Sequence, residues 1–143
     1  MKAWNVIVGI LFLSFVFNAT TCFAEDYACS YGDSSRGYSV SGDRYNPDDT
    51  AEKECEWLKK PFFADSNPDG YPNCLKEYQL KQDAYNAGKC KPIVRQNFSS
   101  NNTECFYEYY EDDAGVKHKM MFSCVGSDEA LRDRVKKMYE SLK

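Results

Sequence analysis

Residues 104–125 read ECFYEYYEDDAGVKHKMMFSCV, and their pattern decides the fold class. Apolar and polar residues alternate on both sides of Asp112-Asp113-Ala114-Gly115, as in two antiparallel strands around a turn. A turn at Ala114-Gly115 sets Cys105 opposite Cys124, Tyr107 opposite Phe122 and Asp112 opposite Lys117. Aromatic and opposite-charge pairs are the favourable ones across strands, so this register predicts a Cys105–Cys124 disulfide. Val116, His118, Met120, Phe122 and Cys124 fall on one face of the second strand, and Cys105, Tyr107 and Tyr109 on one face of the first.

On either side of this hairpin the period becomes helical. Downstream, Ser127 caps a helix with Asp128 and Glu129 in its first turn and Leu131, Val135, Met138 and Leu142 on one face. Upstream, Asn46 and Pro47 suit a helix start, and Lys59, Lys60 and Pro61 suit its end. Ala51, Cys55, Leu58 and Phe62 then share a face, which points Cys55 inward. A second helix runs from about Pro72 to Ala87 and stops at Gly88. Ile93-Val94 is a short strand, and residues 99–103 form a polar loop. Residues 25–46, rich in Gly, Ser, Asp and Tyr, read as an irregular arm with a short strand over 38–40. Two helices, then a hairpin or sheet, then a C-terminal helix make an α+β domain.

The N-terminus places this domain in a compartment. Lys2 is the only charge in residues 1–24, an apolar run extends from Ala3 to Phe17, and Cys22-Phe23-Ala24 fits the small-x-small rule for cleavage before Glu25. The run is shorter than the ~20 apolar residues of a spanning helix. We therefore read 1–24 as a signal peptide and 25–143 as one disulfide-rich domain, secreted or periplasmic and not inserted in the membrane. Cleavage removes Cys22 and leaves Cys29, Cys55, Cys74, Cys90, Cys105 and Cys124, an even set suited to three disulfides. Apart from the hairpin pair, spacing does not choose the connectivity. No C-x-x-C pair exists to suggest a zinc ribbon or redox site.

Charge excludes some partners. The whole chain carries a formal net charge of −4, and removal of Lys2 makes the rest more acidic by one. Lys and Arg are scattered, without the basic stripe that binds nucleic acid.

Catalytic and cofactor signatures are absent. Gly32-Asp33-Ser34 resembles the nucleophile block of GDSL-type hydrolases over three residues, but Ser35 stands where Leu belongs and no Asp-x-x-His block follows. His118 is the only histidine, so any Ser-His-Asp site must use it. Between Lys117 and Lys119 it reads as an ordinary strand residue. Asp65-Ser66-Asn67-Pro68-Asp69-Gly70 matches the first half of a calcium loop, with Asp65, Asn67 and Asp69 as ligands. Lys76 occupies the twelfth position, where a bidentate Glu is required, and Pro-Asp-Gly is a turn signal by itself, so the turn reading outweighs calcium.

Tyrosine is the compositional outlier, with 11 residues. Tyrosine gives rigid contact area with a polar tip, which suits protein recognition. Tyr31, Tyr38, Tyr107, Tyr109 and Tyr110 are the expected contact residues. The reading is an exported, disulfide-stabilised protein-binding module of the inhibitor or immunity type, without cofactor, whose partner is another protein. A small secreted hydrolase using carboxylates and a calcium-binding envelope protein are the alternatives.

Overall fold

The computed structural model describes residues 25–143, and the expected signal, with Cys22, lies outside the described residues. Strands β1 (Tyr27–Asp33), β2 (Tyr38–Tyr45) and β3 (Cys90–Pro92) form one antiparallel sheet in the order β2-β1-β3. Strands β4 (Val94–Ser100), β5 (Thr103–Glu111) and β6 (Lys117–Val125) form a second, in the order β4-β5-β6. Helices α1 (Ala51–Cys55), α2 (Pro61–Ser66) and α3 (Gly70–Asn86) lie between β2 and β3 in sequence, and α4 (Glu129–Glu140) closes the chain. The α+β class expected from sequence is therefore the observed one.

The Gly-rich arm is a hairpin rather than an irregular segment. Asp33 accepts from the backbone N–H of Ser35 at 2.9 Å, and Gly37 takes a positive φ of 67°, which together close the turn into β2. The pairing slips between Cys29 and Tyr31, where Gly42 at φ 75° supplies the left-handed residue of a bulge. Pairing of β1 with β3 then gives the arm a second partner strand.

The first helix also departs from expectation. Asn46 does not cap it. Its side chain accepts from Asp48 N at 2.8 Å in a local turn, a conformation that competes with helix initiation. Thr50 caps α1 instead, accepting from Lys53 N at 3.2 Å. A 3₁₀ turn, Glu56–Lys59, follows. Lys60 is extended (ψ 139°) because the residue before a proline is pushed out of the α region, and Pro61 starts α2. Cys55 points inward as expected, but the interruption at Lys60 destroys the phase that placed Phe62 beside it.

The Asp65–Gly70 segment is the turn between α2 and α3. Gly70 N–H bonds to Asn67 O at 3.0 Å, and α3 begins at Gly70, so the residues that would wrap a cation are helical. Asp65, Asn67 and Asp69 are exposed, and no group of three or more metal-ligating His, Cys, Asp or Glu side chains occurs among the described residues.

Residues 99–103 do not form a loop. Only Asn101 and Asn102 turn, with φ of 46° and 59°, the two left-handed residues of a tight hairpin connection. Across β5 and β6 the expected register holds from Glu104↔Val125 to Glu108↔Met121, including Cys105↔Cys124 and Tyr107↔Phe122. It then shifts at a bulge, so that Tyr109 pairs with Lys119, Tyr110 with His118, and Glu111, not Asp112, with Lys117. Met120 is the extra residue. The bulge moves His118 off the face of Phe122 and onto that of Tyr110, whose ring it stacks on at 4.8 Å.

Each sheet has its own core. Cys29, Tyr45, Tyr78 and Ala84 pack between the first sheet and α3. Cys105, Tyr107, Leu131 and Val135 pack between the second sheet and α4. Asp128, not Ser127, caps α4 by accepting from Leu131 N at 3.0 Å. Tyr139 takes the inward position expected for Met138 and stacks on Phe122 at 5.8 Å. Three disulfides staple these layers: Cys29–Cys90 joins β1 to β3, Cys55–Cys74 joins α1 to α3, and Cys105–Cys124 joins β5 to β6 as predicted. For a domain this small, such links supply a large share of the stability. They fit an oxidising compartment. Among the described residues no helix is long and apolar enough to cross a membrane.

Candidate functional site

The tyrosines singled out for recognition divide by position. Tyr107 and Tyr110 are 7% and 9% exposed, so burial withdraws both from the expected contact surface. Tyr109 is half-buried against the α4 core, with Lys117 Nζ 5.1 Å from its ring centre. Tyr31 is half-buried and donates to Asp43 Oδ2 at 2.7 Å. Burial, then this hydrogen bond, pushes its phenol pKa upward. Asp43 also lies 3.2 Å from the buried Lys81, which bonds Glu54 at 3.1 Å, so Tyr31 belongs to a network tying β1 and β2 to α1 and α3. The Tyr38 hydroxyl is buried without a hydrogen-bond partner. Tyr fills these positions because a phenol is large, apolar in its body and tolerant of a polar tip near the surface.

The exposed aromatic surface lies elsewhere. Trp57, Phe62 and Phe63 are 49%, 79% and 37% exposed. Trp57 meets Phe63 edge-on at 5.1 Å, and Phe63 meets Phe62 edge-on at 5.3 Å. The break at Lys60 creates this ridge: Trp57 comes from the 3₁₀ turn and the two Phe from the first turn of α2. Lys59 and Lys60 flank it, Lys59 lying 4.5 Å over the Tyr71 ring. Its base is fixed to α3 by the buried Cys55 and its disulfide to Cys74. Trp57-Leu58 and Phe62-Phe63 are visible in sequence as a dense aromatic stretch, but helical phase assigns Phe62 to the interior.

Two polar cavities occur where the sheets meet. In one, of about 460 Å³, Glu108 is 1% exposed. Its Oε1 accepts from Arg95 Nε at 2.8 Å and Nη2 at 2.6 Å, and Arg44 bridges its other oxygen to Asp26. Asp26 and Glu108 thus share one cavity, as a carboxylate hydrolase would require. Guanidinium donors hold both carboxylates.

The other cavity, of about 470 Å³, collects His118, Asp112, Tyr110, Ser30, Ser41, Lys89 and Lys91. His118 Nε2 lies 2.8 Å from Asp112 Oδ2. The other oxygen of Asp112 accepts from Val116 N and Ala114 N, each at 2.9 Å. The His118 bond, with these backbone donors, holds the Asp112 carboxyl below the usual carboxylate range. His118 is therefore oriented by a fixed carboxylate, a relationship the bulge creates and the sequence alone does not reveal.

No family model matches the chain, and no curated protein or solved structure shows significant similarity to it.

Proposed function

We propose that the protein is an exported, disulfide-stapled module that binds another protein through the Trp57–Phe62–Phe63 ridge. The exposure of three mutually packed aromatics on a covalently anchored platform carries this reading. Free energy of recognition concentrates in a few aromatic anchors, and Trp is among the most enriched. A rigid base lowers the entropy lost on binding. Lys59 and Lys60 beside the ridge favour a partner with an apolar pocket rimmed by acids. The six paired cysteines support export to the periplasm or the extracellular space, with cleavage before Glu25. The arm tyrosines Tyr31 and Tyr38 stand apart from this ridge in sequence and belong to the hairpin.

Affinity capture with the immobilised, oxidised protein tests the proposal. The wild-type chain retains one stoichiometric partner from its native extract, and Phe62→Ser and Trp57→Ala lose it while keeping their thermal transitions. Equal capture by both variants removes the ridge from the contact. Adsorption of the wild-type chain to neutral lipid vesicles, with no protein retained, replaces the protein partner by a membrane surface.

A further inference from the structure

The His118 cavity shares no lining residue with the aromatic ridge, and hydroxyl and ammonium groups gather in it. Ser30 Oγ and Ser41 Oγ are 3.3 Å apart, and Ser41 Oγ is 3.3 Å from the Tyr110 hydroxyl. Three hydroxyl protons serve two mutual bonds, so one donor stays free to point into the cavity. Lys89, just past the left-handed Gly88 that ends α3, makes no ion pair among the described residues. Lys91 reaches Asp113, whose carboxylate is 91% exposed, so that pair is readily exchanged with solvent or ligand. His118 donates Nε2–H to Asp112. The bulge in β1–β2 carries Ser41 to Tyr110, and the bulge in β5–β6 carries His118 to the same ring. Hydroxyl and ammonium donors converge there from β1, β2, β3 and β5 and from the end of α3, with His118 of β6 beside them.

We propose that this cavity binds a tetrahedral oxyanion, a sulfate or phosphate group, with Lys89 supplying charge, Ser30, Ser41 and Tyr110 supplying hydroxyl donors and His118 lining the wall. Two carboxylates face the same space. Asp112 is held by His118 and two backbone N–H groups, and Asp113 pairs with Lys91. Other charges near His118 are Lys117 and Lys119 on its own strand and Glu111, which pairs with Lys117. The cavity is far larger than a single oxyanion, which leaves room for the organic part of a phosphomonoester.

Sulfate is the suitable probe because it is a tetrahedral oxyanion of fixed charge near neutral pH. Sulfate is titrated into the oxidised protein while the His118 ring and Ser41 amide resonances are followed, with chloride holding the ionic strength at about 0.15 M. Saturable movement of both resonances is expected, and Lys89→Gln weakens binding about fivefold. Glycerol phosphate binding more tightly than sulfate identifies an esterified ligand, and equal affinity identifies the free anion. Resonances that do not move with sulfate, or that move equally in the wild-type chain and in Lys89→Gln, overturn the proposal.

Discussion

Arg44 on β2 reaches across to the buried carboxylate of Glu108 on β5, so that one guanidinium joins the two sheets. Arg95 donates twice to the other oxygen of Glu108, and its guanidinium lies 4.1 Å over the Phe106 ring. The cluster is asymmetric, because the Arg44 and Arg95 side chains are 36% and 49% exposed and that of Glu108 only 2%. Removing Glu108 leaves cations that water can reach, whereas removing both arginines strands a carboxylate. Glu108→Gln is expected to cost about 1–3 kcal/mol. Arg44→Met with Arg95→Met is expected to cost about 3–5 kcal/mol. Urea unfolding midpoints give the order, and an equal loss in the two variants contradicts the asymmetry.

The disulfides differ in the loops they close. Cys29 and Cys90 are 61 residues apart, while Cys55–Cys74 and Cys105–Cys124 each span 19. Loop-closure entropy assigns about 4 kcal/mol to the long loop and about 3 kcal/mol to each short one. Paired alanine replacements should therefore destabilise in that order, with Cys29→Ala/Cys90→Ala the most damaging. Chemical denaturation of the three double variants, compared at equal m-value, checks the ranking.

Legibility in sequence follows from contrast. The Cys105–Cys124 bond was readable because a strong turn and strict alternation fix a local register. The bulge beside Tyr109 was not, because Met120-Met121-Phe122 gives no polar–apolar contrast at which a slip would show. Glu108 alternates with tyrosines and reads as a solvent-facing residue. It is buried only because the arm folds back as a hairpin and brings Arg44. Pro61 is equally consistent with a helix stop and a helix start, and it is both. Whether Phe62 faces in or out depends on that one break, so the aromatic ridge was hidden in the phase. Tyrosine identity carries little positional information, since the same side chain serves a core and a contact surface.

Alkaline pH should unfold the protein through its tyrosines. Burial, then the neighbouring Tyr45, pushes the Tyr78 phenol up to about 12, and it donates to Asp49 O at 2.5 Å. Burial and Asp43 raise Tyr31 as well. A raised pKa means that the folded state holds its proton after the unfolded chain has released it. Stability is thus full below the ordinary phenol value of about 10 and falls as pH rises through the folded values. Urea midpoints should be flat from about pH 7 to 9 and decline above about 10. Tyr31→Phe should reduce that slope, because the replacement has no proton to lose.

Gly37 and Gly42 provide a controlled test of close packing at the anion-binding cavity. Both take left-handed φ values, 67° and 75°. A side chain at either therefore carries a backbone strain of about 1–2 kcal/mol. Their surroundings differ. A Cβ at Gly37 meets nothing within 4 Å, whereas one at Gly42 would lie 2.8 Å from Tyr110 Cε1 and 3.1 Å from its hydroxyl. The Tyr110 ring cannot yield freely, because His118 is stacked on its face. Gly42→Ala should therefore lose about 1–3 kcal/mol beyond the loss at Gly37→Ala. It should also displace the Tyr110 ring and so perturb the His118 resonances, which Gly37→Ala leaves in place. Equal destabilisation by the two alanines, with unchanged His118 signals, would mean that the hairpin and the Tyr110 ring are not in contact in solution.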